Sequence, residues 1–129
     1  KAITLVALLT AAAIVIAGCG PQTASFSSSM TEFEFDPPQW TVPAGAEVDI
    51  TLTNDGTVVH DWVLMPSDYE VSPPADEEEA QRALAEFSVD AGETETFTFT
   101  APSEPGEYPV ICTEPGHLEA GMSGSLIVE

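Results

Sequence analysis

Basic side chains are almost absent from this sequence: 2 Lys and Arg stand against 22 Asp and Glu in 129 residues, a formal net charge of −20. Nucleic acid and anionic lipid headgroups are therefore excluded as partners, because binding them needs Lys and Arg to neutralise phosphates. A basic protein partner is compatible with this field, which would steer it at low salt. A surface kept acidic only for solubility, as in a salty medium, accounts for the charge equally well. Cysteine is scarce too, with 2 residues, so at most one disulfide is available. Long apolar runs are limited to one, at the start of the chain. The length suits one domain with one core rather than two, and an apolar content of 43% argues against disorder.

The apolar run follows Lys1 and reads AITLVALLTAAAIVIAG. It is marginal for spanning a bilayer and suits the central region of a signal peptide. It ends in Ile16-Ala17-Gly18-Cys19, which resembles a bacterial lipobox, where small residues precede a cysteine that is lipidated and becomes the new N-terminus. Residues 1–18 are accordingly expected to be a lipoprotein signal peptide and Cys19 the lipid attachment site; an uncleaved anchor helix is the alternative. Either reading places the rest of the chain outside the cytoplasm, on the periplasmic or cell-surface side, held at a membrane. With Cys19 lipidated, Cys112 has no disulfide partner. An unpaired thiol in an oxidising compartment is a liability unless protected, and a bound metal would protect it.

The stretch GPQTASFSSSM, rich in Ser and lacking a sustained apolar period, predicts that residues 19–30 form a flexible tether ahead of a domain over 31–129. From Thr31 the pattern has period two. Phe33 and Phe35 alternate with Glu32 and Glu34; Val48, Ile50 and Leu52 alternate with polar neighbours; Phe97 and Phe99 alternate with threonines. Gln39 to Val42, Val58 to Leu64, Glu107 to Cys112 and Ser123 to Val128 are further strand candidates, separated by turns such as Asn54-Asp55-Gly56 and Asp90-Ala91-Gly92. Seven or eight short strands indicate an all-β sandwich. One segment breaks the rhythm. In EEEAQRALAEF, Ala80, Leu84 and Phe87 fall on one helical face behind an acidic first turn, which predicts a short inserted helix. The acidic run reads as the solvated start of that helix, with a docking patch as the alternative.

The stretch CTEPGHLEAGM places Cys112, His117 and Met122 five residues apart. Alone, each is an ordinary loop or core residue, and so is His60 on its strand candidate beside Trp62 and Leu64. Together, a thiolate, two imidazoles and a thioether are the ligand set of a blue-copper site, with a weak axial Met. Cys112 ends one strand candidate and Ser123 begins the next, so the intervening loop must fold back. Pro115-Gly116 supplies a tight turn before His117, and Gly121 frees the backbone before Met122. The remaining imidazole must come from His60, the only other histidine.

The Cys-x4-His-x4-Met loop, with Pro-Gly before the His and Gly-Met-x-Gly after it, resembles the copper loop of the cupredoxins, especially azurin-like, auracyanin-like and rusticyanin-like members. VPAGAEVDITLTNDGTVVHDWVL and AGETETFTFTAPSEPGEYPVIC are similar to the segments that lead to the first His and to the Cys, so the resemblance spans about Thr31 to Glu129. It implies a Greek-key sandwich holding one type 1 copper, with His60, Cys112 and His117 equatorial and Met122 axial. It also implies that Asp61, where the family commonly has Asn, bonds across to the Cys loop as an acceptor. His117 is expected near the surface in an apolar patch with Pro115, Leu118 and Ala120. The implied function is one-electron transfer without catalysis, by a monomer that docks transiently to redox proteins such as a cytochrome or a terminal oxidase bearing a basic face. Copper delivery or storage is the alternative. Ile111 and Thr113 flank the Cys where multicopper oxidases and nitrite reductases carry histidines to a second centre, and a binuclear centre needs two loop cysteines.

Overall fold

The computed structural model describes residue 20 and residues 22–75 and 80–129. They form nine strands: β1 (Thr23–Thr31), β2 (Glu34–Asp36), β3 (Gln39–Val42), β4 (Glu47–Asn54), β5 (His60–Leu64), β6 (Ala85–Val89), β7 (Thr94–Thr100), β8 (Gly106–Ile111) and β9 (Ser123–Val128). One sheet has the order β2-β1-β4-β7 and the other β3-β9-β8-β5-β6. The two pack face to face as a Greek-key β-sandwich: the alternating pattern predicts the sandwich, and the family resemblance implies the Greek key.

The core follows from that alternation. Val48, Ile50 and Leu52 are fully buried, and β4 pairs antiparallel with β7 so that Val48 opposes Phe99 and Ile50 opposes Phe97. Trp62 lies at the centre, with its ring 5.7 Å from Trp40, 6.0 Å from Phe87 and 5.6 Å from Phe99. Each such side chain contributes about 1.5–3 kcal/mol by leaving water. Strand β5 is buried on both faces. Its Trp62 and Leu64 enter the sandwich, while Val63 and the following Met65 join Tyr69, Ile111 and Leu118 in a smaller cluster outside the sheet.

Three expectations need correction. Residues 23–30 of the expected tether lie instead in strand β1, which runs parallel to β4 from Thr23↔Glu47 to Met30↔Asn54. Its inward positions Ala24, Phe26, Ser28 and Met30 alternate properly, but two of the four are small, which weakens the apolar signal. Phe33 does not share the core with Phe35. The chain turns between β1 and β2, leaving Phe33 46% exposed and Phe35 buried. The expected helix does not extend to Phe87, because β6 begins at Ala85 and pairs antiparallel with β5. Ala85, Phe87 and Val89 carry a period-two pattern of their own, and the stacking of Phe87 on Phe97 at 4.6 Å rewards the strand. Ala80 is helical, residues 76–79 lie outside the described residues, and so do the leader and Cys19.

Candidate metal centre

One pole of the sandwich collects the end of β4, the start of β5, the end of β8 and the start of β9. His60 opens β5, Cys112 follows β8, and the loop from Cys112 to Met122 folds back before β9 as its glycines require. Gly116 has φ +84° and Gly121 φ +102°, conformations that side-chain-bearing residues rarely adopt. The loop is tied internally: the amide of Met122 donates to the carbonyl of His117 at 3.0 Å, and that of Cys112 to the carbonyl of Met122 at 3.3 Å.

This folding brings His60, Cys112 and His117 together, with one ligand atom from each lying within 4.8 Å of the others. Cys112 Sγ is 4.0 Å from His60 Nδ1 and 3.4 Å from His117 Nδ1. His60, Cys112 and Met122 are fully buried and His117 is 7% exposed. Burial pushes the Cys112 thiol up to about 11, against backbone hydrogen bonds from Asp61 and Glu114 that favour the thiolate. The Asp61 amide donates to Sγ at 3.5 Å. His60 is lowered from its ordinary value, first by burial and then by the neighbouring His117, so it is poised as a neutral ligand. A metal cation would reverse the cost of holding a thiolate here, and binding would release its proton. A buried sulfur facing two imidazole nitrogens, beside a buried thioether residue, fits copper and gives zinc little use for the methionine.

Supporting residues surround this set. Asp61, nearly buried, accepts hydrogen bonds from Ser88 Oγ at 2.6 Å and Thr113 Oγ1 at 2.7 Å, joining β5 to β6 and to the copper loop as an acceptor. Asn54 is fully buried and fastens the approach to His60. Its Nδ2 donates to the carbonyls of Val58 and Val89, both at 2.8 Å, and its Oδ1 accepts from the Gly56 amide at 2.9 Å. Across the pole, Glu32 Oε1 accepts from the Thr57 amide at 2.6 Å and from Thr57 Oγ1 at 2.8 Å, which holds its carboxyl down at about 2. The sequence marks Asn54 as a turn residue through Asn54-Asp55-Gly56, but nothing local marks Glu32, Thr57 or Ser88. Around His117, Pro115 and Ala120 are exposed as expected, whereas Leu118 is only 4% exposed and turns inward. Phe33 takes its place at the surface, its ring perpendicular to that of His117, with centroids 5.3 Å apart and planes at 86°.

Residues 22–129 match the model of the copper binding proteins of the plastocyanin/azurin family. The chain belongs to that family. Auracyanin-B of Chloroflexus aurantiacus is 31% identical over 125 residues, covering 83% of this chain and 52% of the relative, so this chain spans about half of that relative's length. Auracyanin-A of the same organism is 29% identical over 154 residues, covering 96% of this chain and 94% of the relative. The crystal structure of dithionite-reduced auracyanin from Roseiflexus castenholzii superposes with a TM-score of 0.67 at 29% identity, covering 85% of this chain and 99% of that one. Copper is thus the metal of this cupredoxin, and family and ligand geometry agree on it.

Proposed function

We propose that this cupredoxin is a one-electron carrier, held by a lipid on Cys19 at the outer side of a membrane and passing electrons between redox proteins with basic docking faces. The observation that carries the reading is the buried convergence of Cys112 Sγ with the two Nδ1 atoms, at 3.4 and 4.0 Å, within a loop closed by its own backbone bonds. Copper supplies a Cu(II)/Cu(I) couple to this pocket. The chain supplies rigidity. Cys112 and His60 sit on or beside paired strands, Asp61 ties β5, β6 and the loop together, and the buried Met122, its backbone bonded to both His117 and Cys112, would supply a thioether to the metal those residues hold. Ligands so braced move little when the charge at the site changes. His117 is the least buried of the four, and its ring, beside Phe33 and on a loop whose Pro115 and Ala120 are exposed, is the exit for the electron. A small apolar contact on a chain of net charge −20 suits brief docking steered by charge.

The test is an absorption spectrum and redox titration of the copper-loaded protein, together with Cys112→Ser. Intense visible charge-transfer absorption, reversible one-electron reduction and loss of the colour in Cys112→Ser are expected. A colourless protein that holds only Cu(I) and hands it to an acceptor would replace electron transfer with copper delivery.

A further inference from the structure

His60 presents Nδ1 to Cys112 Sγ, so its other ring nitrogen faces away from the metal pocket. That Nε2 is buried and has no hydrogen-bond partner among the described residues. A metal-bound imidazole carries its proton on the far nitrogen and almost always aims it at an oxygen. The surroundings of Nε2 are legible from Gly56. A Cβ built there would come within 2.6 Å of His60 Nε2, 3.0 Å of Glu32 Oε1 and 3.1 Å of Asn54 Oδ1. Glycine thus keeps open a notch in which two oxygens face the buried nitrogen. Asn54 Oδ1 is engaged by the Gly56 amide, which leaves the Glu32 carboxylate as the charged oxygen on that side.

Glu32 is placed there rather than drifting. Both donors of Thr57 grip Oε1, and Glu32 sits in the tight turn between β1 and β2. Its neighbour Phe33 has φ +143°, a left-handed conformation that a phenylalanine adopts only when its surroundings impose it. The same residue makes a T-shaped ring contact with His117. One two-residue turn, remote in sequence from the ligands, therefore faces both imidazoles.

We propose that Glu32 is a positioning residue for the copper couple: its carboxylate, clamped by Thr57, faces the buried Nε2–H of His60 across Gly56 and lowers the reduction potential by favouring Cu(II). The inference rests on the copper reading above. The physical reason is that a negative charge a short way from the metal, acting partly through low-dielectric protein, stabilises the more positive oxidation state.

The experiment compares the full copper-loaded protein with Glu32→Gln, which keeps the shape and removes the charge, and with Glu34→Gln, which removes a charge from the neighbouring strand. At fixed applied potential, Glu32→Gln is expected to shift the Cu(I)/Cu(II) ratio toward Cu(I) by about threefold to tenfold, roughly 30–60 mV for a one-electron couple, with the visible band unchanged. Glu34→Gln is expected to shift it less than about half as far. An unchanged ratio, an equal shift in Glu34→Gln, or a shift accompanied by an altered visible band would overturn the proposal. In zinc-loaded protein, the His60 Nε2–H resonance is expected to move in Glu32→Gln and stay in place in Glu34→Gln. An unmoved resonance overturns the proposal whatever the copper couple does. A parent protein with no reversible couple would instead sink the electron-carrier reading, while the zinc spectra still decide on Glu32.

Discussion

Gly56→Ala is a stringent probe of how tightly the metal pole is built. The backbone of Gly56 is not left-handed, so alanine meets no conformational penalty, and its effect isolates the space around His60. The new methyl would stand 2.6 Å from Nε2, against an ordinary contact of about 3.5 Å, so ring and loop must part by roughly 0.9 Å. Neither yields easily. The ring is fully buried with Cys112 Sγ and the His117 ring on its far side, 4.0 Å and 4.9 Å away. The loop is held down by Asn54 and by the Glu32 clasp on Thr57. Overpacking of this kind costs about 1–3 kcal/mol. At about 4 °C per kcal/mol for a domain of this size, calorimetry of the metal-free variant should record a melting point lowered by roughly 4–12 °C. Pressure on His60 should also change the visible band of the copper-loaded form. A metal-free variant melting within about 1 °C of the parent, with an unchanged band, would refute the tightness inferred for this pole.

Asp61→Ala removes the acceptor for Ser88 and Thr113 and should destabilise the protein by about 2–4 kcal/mol in chemical denaturation, with Asp61→Asn less damaging; equal losses in the two variants would deny the acceptor role. Because Phe33 holds a left-handed φ, Phe33→Gly should be about 1 kcal/mol more stable than Phe33→Ala, and the reverse order would show that the turn is unstrained. Burial raises the Cys112 thiol from 9.0 to about 11, so the stability this thiol contributes in the metal-free fold is complete below the lower value and lost as pH climbs through the upper one. Copper-loaded protein already holds the thiolate, so its denaturation midpoint should fall less across that window; parallel profiles would contradict this. With 22 acidic residues against 2 basic ones, electron exchange with a basic redox protein should slow as salt rises from about 10 to 200 mM, and a flat profile would remove charge steering from the mechanism.

The sandwich and three of the four metal-site residues were readable because each rests on a local signal, whereas His60 was reached only as the one other histidine. Val48, Ile50 and Leu52 alternate within one strand, and Cys112, His117 and Met122 lie within one loop whose glycines stand where the positive φ values fall. What escaped depends on neighbours distant in sequence. Strand β1 owes its place to a parallel ladder with β4, and that ladder accepts Ala24 and Ser28 opposite Val48 and Leu52 because the larger partners fill the space. The segment at Phe87 fits a helical face and a strand alike, and only the rings of Trp62 and Phe97 decide between them. Glu32 and Phe33 look like one more alternating pair until the β1–β2 turn sends one toward each imidazole. Ser88 supports Asp61 from an adjacent strand, a pairing that register determines and spacing does not.

The parallel pairing of β1 with β4 also fixes the pole at which the chain enters the sandwich. Thr23 lies beside Glu47 and Met30 beside Asn54, so the chain enters at the pole opposite the metal and climbs to it along nine residues, about 30 Å of strand. A lipid on Cys19 would leave only residues 20–22, roughly 10 Å of chain, between the bilayer and the start of that climb. On that proposal the redox centre would stand at the top of a short mast formed by β1. The length of β1 would then limit its height above the lipid, and a partner would have to present its own redox centre within that height to receive the electron.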